Sequence, residues 1–213
     1  MAKQHKISFL YIAFFVLLFS SSVIRTHATH IIGGELYYDC LGSDSLGNYT
    51  YRITLKVYRD CFSGIPPYDN PAYLSIWDGS VTPTFIDTVA IPFPGSIVLP
   101  FISSDPCFIE PDSVCVEEAI YTTIVTLPAS ITGYVFAYQR CCRNNSIINI
   151  FDPGNTGATY TESVPDTILC NSSPRYNNFP PIALCVNQPL VFDHSATDPD
   201  GDSLVYYICS PFI

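Results

Sequence analysis

The chain has 213 residues, enough for one full domain and part of another, and it carries 19 acidic against 9 basic side chains for a formal charge of −10. That balance repels phosphate backbones and anionic lipid, so nucleic acid is excluded as a partner, whereas bound cations suit it. Frequent proline, scarce alanine and the want of any i, i+3, i+4, i+7 apolar pattern after residue 28 argue against a helical protein.

At the amino terminus Lys3 and Lys6 precede an apolar run, Ile7 to Phe19, and a polar segment that ends Thr26-His27-Ala28. This is the pattern of a secretory signal peptide over 1–28, with cleavage expected after Ala28. As a helix the run reaches only about 20 Å, short of a hydrocarbon core of roughly 30 Å, which argues against an uncleaved anchor. No later stretch is apolar for long enough to cross a membrane, so the mature chain is expected to have no span of its own and to be secreted or held at the cell surface. Loss of Lys3, Lys6 and Arg25 with the leader takes the formal charge from −10 to −13.

Strand signals follow in series. After Ile31-Ile32-Gly33-Gly34, whose glycines are expected to bend the chain into a first strand at Glu35–Asp39, Tyr51, Ile53, Leu55 and Val57 alternate with Arg52, Thr54, Lys56 and Tyr58. That period of two puts one face on a core and the other in water. Similar runs occupy Ala72–Trp77, Phe85–Ile91, Ala119–Leu127, Tyr134–Gln139, Ile147–Ile150, Thr159–Val164, Pro189–Phe192 and Leu204–Ile208. Turn-forming clusters such as Asp78-Gly79-Ser80 and Asp152-Pro153-Gly154-Asn155 separate them. The reading is all-β: a β-sandwich, immunoglobulin-like or jelly-roll-like, over 29–178. The Asn-, Ser- and Pro-rich stretch Asn171–Pro181 reads as a linker, with a boundary near Phe179. Residues 179–213 hold too few strands to close a core and read as the start of a truncated repeat.

The densest chemical signal is Asp193 with Asp198-Pro199-Asp200-Gly201-Asp202. Hard oxygen ligands at this spacing suit Ca²⁺, with Asp193, Asp198, Asp200 and Asp202 as candidate ligands; the alternative is a solvated acidic turn that needs no metal. Gly201-Asp202-Ser203-Leu204 also spells a lipase signature. Ser203 as nucleophile would need an Asp and a His downstream, whereas His30 and His194 both lie upstream. Ile31-Ile32-Gly33-Gly34 similarly matches the start of an activated serine protease without the rest of a catalytic set. No catalytic residues are assigned.

The nine cysteines, at 40, 61, 107, 115, 141, 142, 170, 185 and 209, lack the two-residue spacings of structural zinc sites. In an oxidising compartment most should be paired. Cys107 with Cys115 and Cys185 with Cys209 are the expected local pairs. Cys141 and Cys142 would point opposite ways if extended and reach different partners among Cys40, Cys61 and Cys170. One thiol is left over. Asn48-Tyr49-Thr50, Asn144-Asn145-Ser146 and Asn171-Ser172-Ser173 fit the glycosylation acceptor pattern and serve as surface markers. The lone Trp77 is expected to pack in the core, with a sugar-stacking platform as the alternative.

Thr29-His30-Ile31-Ile32-Gly33-Gly34-Glu35-Leu36, the string Tyr51-Arg52-Ile53-Thr54-Leu55-Lys56-Val57-Tyr58-Arg59-Asp60-Cys61, and Tyr138-Gln139-Arg140-Cys141-Cys142-Arg143-Asn144-Asn145 resemble the amino-terminal region of large secreted Bacteroidetes surface proteins. That resemblance implies continuation through polycystic-kidney-disease-type or cadherin-like repeats to a gliding-motility-associated domain sorted by type IX secretion. Cys185-Val186-Asn187-Gln188-Pro189 through Asp198-Pro199-Asp200-Gly201-Asp202-Ser203-Leu204-Val205-Tyr206 is similar to the opening of a cadherin-like, immunoglobulin-like repeat, in which Asp-rich turns often hold calcium. The expectation is a non-catalytic structural or adhesive module that binds an unknown surface protein or glycan. A carbohydrate-binding module and an accessory domain of a secreted hydrolase are its rivals.

Overall fold

The computed structural model describes residues 31–62, 66–101, 113–166, 170–182, 184, 187 and 189–208. The expected leader over 1–28 and the cysteines at 107, 185 and 209 lie outside the described residues. The strands are β1 (Ile31–Ser43), β2 (Asn48–Asp60), β3 (Ala72–Asp78), β4 (Phe85–Ile91), β5 (Ile97–Val98), β6 (Val116–Pro128), β7 (Tyr134–Arg140), β8 (Ala158–Val164), β9 (Arg175–Tyr176) and β10 (Ala196–Thr197). Helix is confined, among the described residues, to one 3-10 turn at Pro153–Asn155.

Two antiparallel four-stranded sheets, β1-β2-β6-β5 and β4-β3-β7-β8, face each other. Successive strand pairs alternate between them, so the β2–β3, β4–β5 and β6–β7 links each cross from one sheet to the other. This is the order of an immunoglobulin sandwich, A-B-E-D against C′-C-F-G, and it decides against a jelly roll. A second mark of that fold is Tyr134, the first residue of β7, whose hydroxyl donates back to the Pro128 carbonyl at 2.7 Å across the β6–β7 corner. The disulfide that links strands B and F in antibody domains has no counterpart; Phe136, two residues after that tyrosine, fills the position with a ring.

The alternation read from β2 holds. Tyr51, Ile53, Leu55 and Val57 are buried, and they face Val125, Thr123, Tyr121 and Ala119 of β6 in register. From the other sheet Leu74, Ile76, Phe136 and Tyr138 close on them. Tyr38, Tyr51 and Phe136 meet edge to face at the centre, with ring centroids 5.6, 6.0 and 6.2 Å apart. Gly34 is required where the sheets pinch together: a Cβ there would stand 2.7 Å from the Lys56 carbonyl oxygen and 2.9 Å from the Tyr160 ring. The glycines do not precede the first strand as expected; they lie inside it, at a register shift between Ile31 and Gly33.

At one end the core tyrosines keep their hydroxyls bonded. Tyr138 donates to Asp69 Oδ2 at 2.6 Å, and Tyr121 to the Asp69 carbonyl at 2.8 Å. Arg140 pairs with Asp69 and donates to the Pro67 carbonyl, while Arg59 pairs with Glu117. The segment at 66–70 is thereby pinned across the opening of the sandwich.

Among the described residues three disulfides are present, and two expectations about them are corrected. Cys115 bonds Cys61, not Cys107, because Asp60 pairs with Val116 at the end of the β2–β6 ladder and the next residues outward are those two cysteines, with Cα atoms 5.1 Å apart. Cys141 and Cys142 bond each other. The expectation of separate partners assumed an extended backbone, whereas the peptide between them is cis. Cys40 bonds Cys170.

That last bond holds the segment read as a linker against the edge of β1. Ser173 donates its backbone N–H to the Tyr38 carbonyl at 2.9 Å, and its Oγ accepts the Tyr38 N–H at 3.0 Å. Ser172 Oγ accepts the Cys40 N–H at 3.2 Å. The outward backbone groups of an edge strand are thus satisfied by the backbone and the serine side chains of this segment. Further along, the Arg175 guanidinium pairs with Asp39 and lies 4.0 Å over the Tyr37 ring, and Phe179 packs on Tyr58.

Three expected strands are absent. Ile147–Ile150 lies in the loop between β7 and β8, with Ile148 97% exposed, and Pro189–Phe192 and Leu204–Ile208 join no ladder among the described residues. An apolar run becomes a strand only when it pairs with an edge, and these three runs pair with none. The short β9–β10 pair, Arg175–Tyr176 with Ala196–Thr197, has too little pattern to be read from sequence.

Disulfide mapping of the oxidised protein should return Cys40–Cys170, Cys61–Cys115 and a Cys141–Cys142 peptide. Replacing Cys40 and Cys170 together by Ser should lower stability by about 2–5 kcal/mol in denaturant unfolding and speed amide exchange at Tyr38 and Cys40.

Candidate binding surface

The outward faces of the two sheets differ in chemistry. On the β1-β2-β6-β5 sheet, Glu35, Lys56 and Arg52 alternate with core residues, Lys56 pairs with Glu35 at 2.7 Å, and Arg175 and Phe179 cover part of the face. Thr54, which points outward there, is buried.

The β4-β3-β7-β8 sheet turns outward a face with no charged side chain along its paired positions. β3 contributes Tyr73, Ser75 and Trp77 between the buried Ala72, Leu74 and Ile76. The ladders set Trp77 beside Phe85 of β4 and Val135 of β7, and Ser75 beside Thr88 and Ala137. β8 completes the face with Thr159, Thr161 and Ser163 opposite Gln139, Ala137 and Val135. One side of the face is therefore aromatic and the other is a field of hydroxyls.

Trp77 is not in the core, contrary to the sequence expectation. Strand parity sends it outward, where it is half-buried. Its indole N–H donates to Ser75 Oγ at 2.9 Å, and Ser75 Oγ donates in turn to the Ala137 carbonyl at 3.0 Å. Phe85 meets the indole edge-on, with centroids 5.4 Å apart. The ring is thus held on the sheet by a hydrogen bond and a ring contact. Tyr73, four residues away on the same strand and about 13 Å off at ~3.3 Å per residue, stays 61% exposed. Phe85 is 55% exposed.

The turn that joins β3 to β4 sets this pair. Asp78 accepts from the backbone N–H groups of Ser80 at 3.0 Å and Thr84 at 3.1 Å and from both of their hydroxyls. Hydrogen bonds from Ser80 and then Thr84 hold its carboxyl down to about 2. Tyr73 and Phe85 went unrecognised in the sequence because alternation shows two faces of a strand and not which one is inward; in Ala72–Trp77 both faces are apolar.

The Asp-rich turns occupy a different part of the molecule. Asp198 Oδ1 accepts the backbone N–H groups of Asp200 at 2.9 Å and Asp202 at 3.1 Å. Asp200 accepts the Ser172 N–H at 2.6 Å, and Asp202 the Asn171 amide at 2.7 Å. Asp193 accepts from Ser195 and Asn178, and the Ser195 backbone N–H is the main reason its carboxyl is held below the usual range. Among the described residues no three carboxylate, His or Cys side chains gather as a metal-binding group. His194 packs edge-on against Phe192 at 4.5 Å.

Comparison of the chain with protein-family models, with curated proteins and with solved structures returns no match. No helix among the described residues is long and apolar enough to cross a membrane. The three disulfides are compatible with an extracellular setting.

Because the Asp78 carboxyl sits below its ordinary value of 3.8, its contribution to stability is present above that value and is lost as pH falls toward about 2. The melting temperature of Asp78→Asn should therefore lie below that of the unaltered protein at pH 5 and approach it as the solution is acidified. Trp77 emission should shift in the same variant, since the turn it disturbs positions Phe85.

Proposed function

We propose that this chain is a non-catalytic extracellular module, exported through its leader and serving as a structural or adhesive part of a secreted or cell-surface protein. The observation that carries the reading is the open, uncharged aromatic face on a sandwich whose β1 edge is closed by the Ser172–Ser173 segment and the Cys40–Cys170 disulfide. Such a body presents a surface on a rigid frame. The resemblance to the amino-terminal region of large secreted Bacteroidetes surface proteins supports the same reading and points to surface attachment or gliding motility as its setting.

The test is attachment of the purified mature protein, or of cells displaying it, to a surface. The unaltered protein should attach and Tyr73→Ala should not, with identical melting temperatures. Hydrolytic turnover by the purified protein that a single substitution abolishes would overturn the reading in favour of an enzyme.

Calcium enters the proposal through Asp193, Asp198, Asp200 and Asp202. Millimolar Ca²⁺ should raise the melting temperature and a chelator reverse the gain; no change in either direction removes calcium from the reading.

A further inference from the structure

We infer that the outward face of the β4-β3-β7-β8 sheet binds a neutral polysaccharide, its sugar rings stacking on Tyr73 and Trp77 while its hydroxyls bond the Ser, Thr and Gln side chains beside them. The inference rests on the proposed role as an extracellular surface module and names the ligand of that face.

Three features select this ligand chemistry. The first is charge. The protein is acidic overall, yet the paired outward positions of this sheet carry no Asp, Glu, Lys or Arg. An anionic polymer or a phosphate-bearing ligand would find no cation to pair with and a repulsive field around the site. A neutral polyol meets neither obstacle.

The second is the division of the face. A sugar ring has an apolar C–H side and a rim of hydroxyls. Tyr73, Trp77 and Phe85 offer flat apolar area, and Thr159, Thr161 and Gln139 offer donors and acceptors across the neighbouring strands. A second copy of this chain set against the same face would bury the hydroxyl rows with no matched partners, which is costly.

The third is preorganisation. The Trp77 indole is already fixed by Ser75 and Phe85, so little rotamer freedom is lost when a ring stacks on it. Tyr73 and Trp77 stand about 13 Å apart along one strand, a separation that fits a chain of sugars and exceeds a single ring.

The lone tryptophan of the sequence makes the face its own reporter. The full mature chain is incubated with insoluble cellulose, chitin and mannan and titrated with soluble β-1,3- and α-linked glucans, with alginate as the anionic contrast. Retention on at least one neutral polysaccharide is expected, undiminished by 1 M NaCl, with a change in Trp77 emission on titration. Tyr73→Ala and Trp77→Ala should each weaken binding about tenfold or more, Tyr73→Phe should keep it, and Ile124→Ala on the opposite sheet should leave it unchanged. Tyr73 is exposed, so Tyr73→Ala decides the matter even if Trp77→Ala fails to fold. The inference is overturned by a folded protein that none of the neutral polymers retains, by retention on alginate alone, or by binding that survives Tyr73→Ala. A dimer in light scattering that the same substitutions dissociate would give the face to a second copy and also overturn it. Attachment to a protein-coated surface that persists without glycan binding would leave the module reading standing and this one refuted.

Discussion

Tyr38, Tyr51 and Phe136 meet where the two sheets face each other, and most of the molecule follows from fitting three rings into that space. Each comes from a different strand, β1, β2 and β7, so their edge-to-face contacts tie both sheets together at once. Rings at the centre hold the sheets apart there; at the rim, where Tyr160 closes over β1, only a residue without a side chain fits, and Gly34 occupies the position. The polar tips of the outer tyrosines then decide what covers the open end. Tyr121 and Tyr138 both bond to Asp69, which fixes the path of the chain between β2 and β3.

Closure of one edge by serines has an electrostatic side. Glu162 lies half-buried beside that segment, and burial pushes its carboxyl up, while a hydrogen bond with Ser173 and the charge of Arg175 oppose the rise. The same arginine pairs with Asp39 and covers Tyr37. Charge on the outward faces is thus gathered on the sheet that carries β1, while the outward paired positions of the β4-β3-β7-β8 sheet carry none; Glu162 of β8 has the parity of the buried Phe136 and Val164. The difference between the two outer faces is a property of the whole sandwich and would be missed by inspecting either sheet alone.

Much of this was legible in the residues. The strict alternation from Tyr51 to Val57 gave the buried face of β2, and the absence of helical periodicity gave the fold class. What alternation lacks is neighbours. Cys61 and Cys115 become partners only because β2 lies beside β6 in one register, a relation between segments that local pattern does not contain. The same gap explains Ile147–Ile150, an apolar run that pairs with no strand, and Trp77, whose side of the strand depends on which sheet packs behind it. In sequence the serines that seal β1 read as part of a linker and of a glycosylation pattern at Asn171, because a hydroxyl that completes a strand edge looks like any other hydroxyl until the edge is placed.

The Cys40–Cys170 bond joins the first strand to the segment that follows the last strand of the sandwich, over a sequence separation of 130. A tensile load applied between residue 31 and residue 200 would run along β1 to Cys40, cross the sulfur bridge and leave from Cys170. The strands in between are bypassed by the covalent path, so the sandwich need not unravel when its two ends are pulled. Everything between the two cysteines, the outward face of the β4-β3-β7-β8 sheet included, stays off that covalent path and carries none of the load.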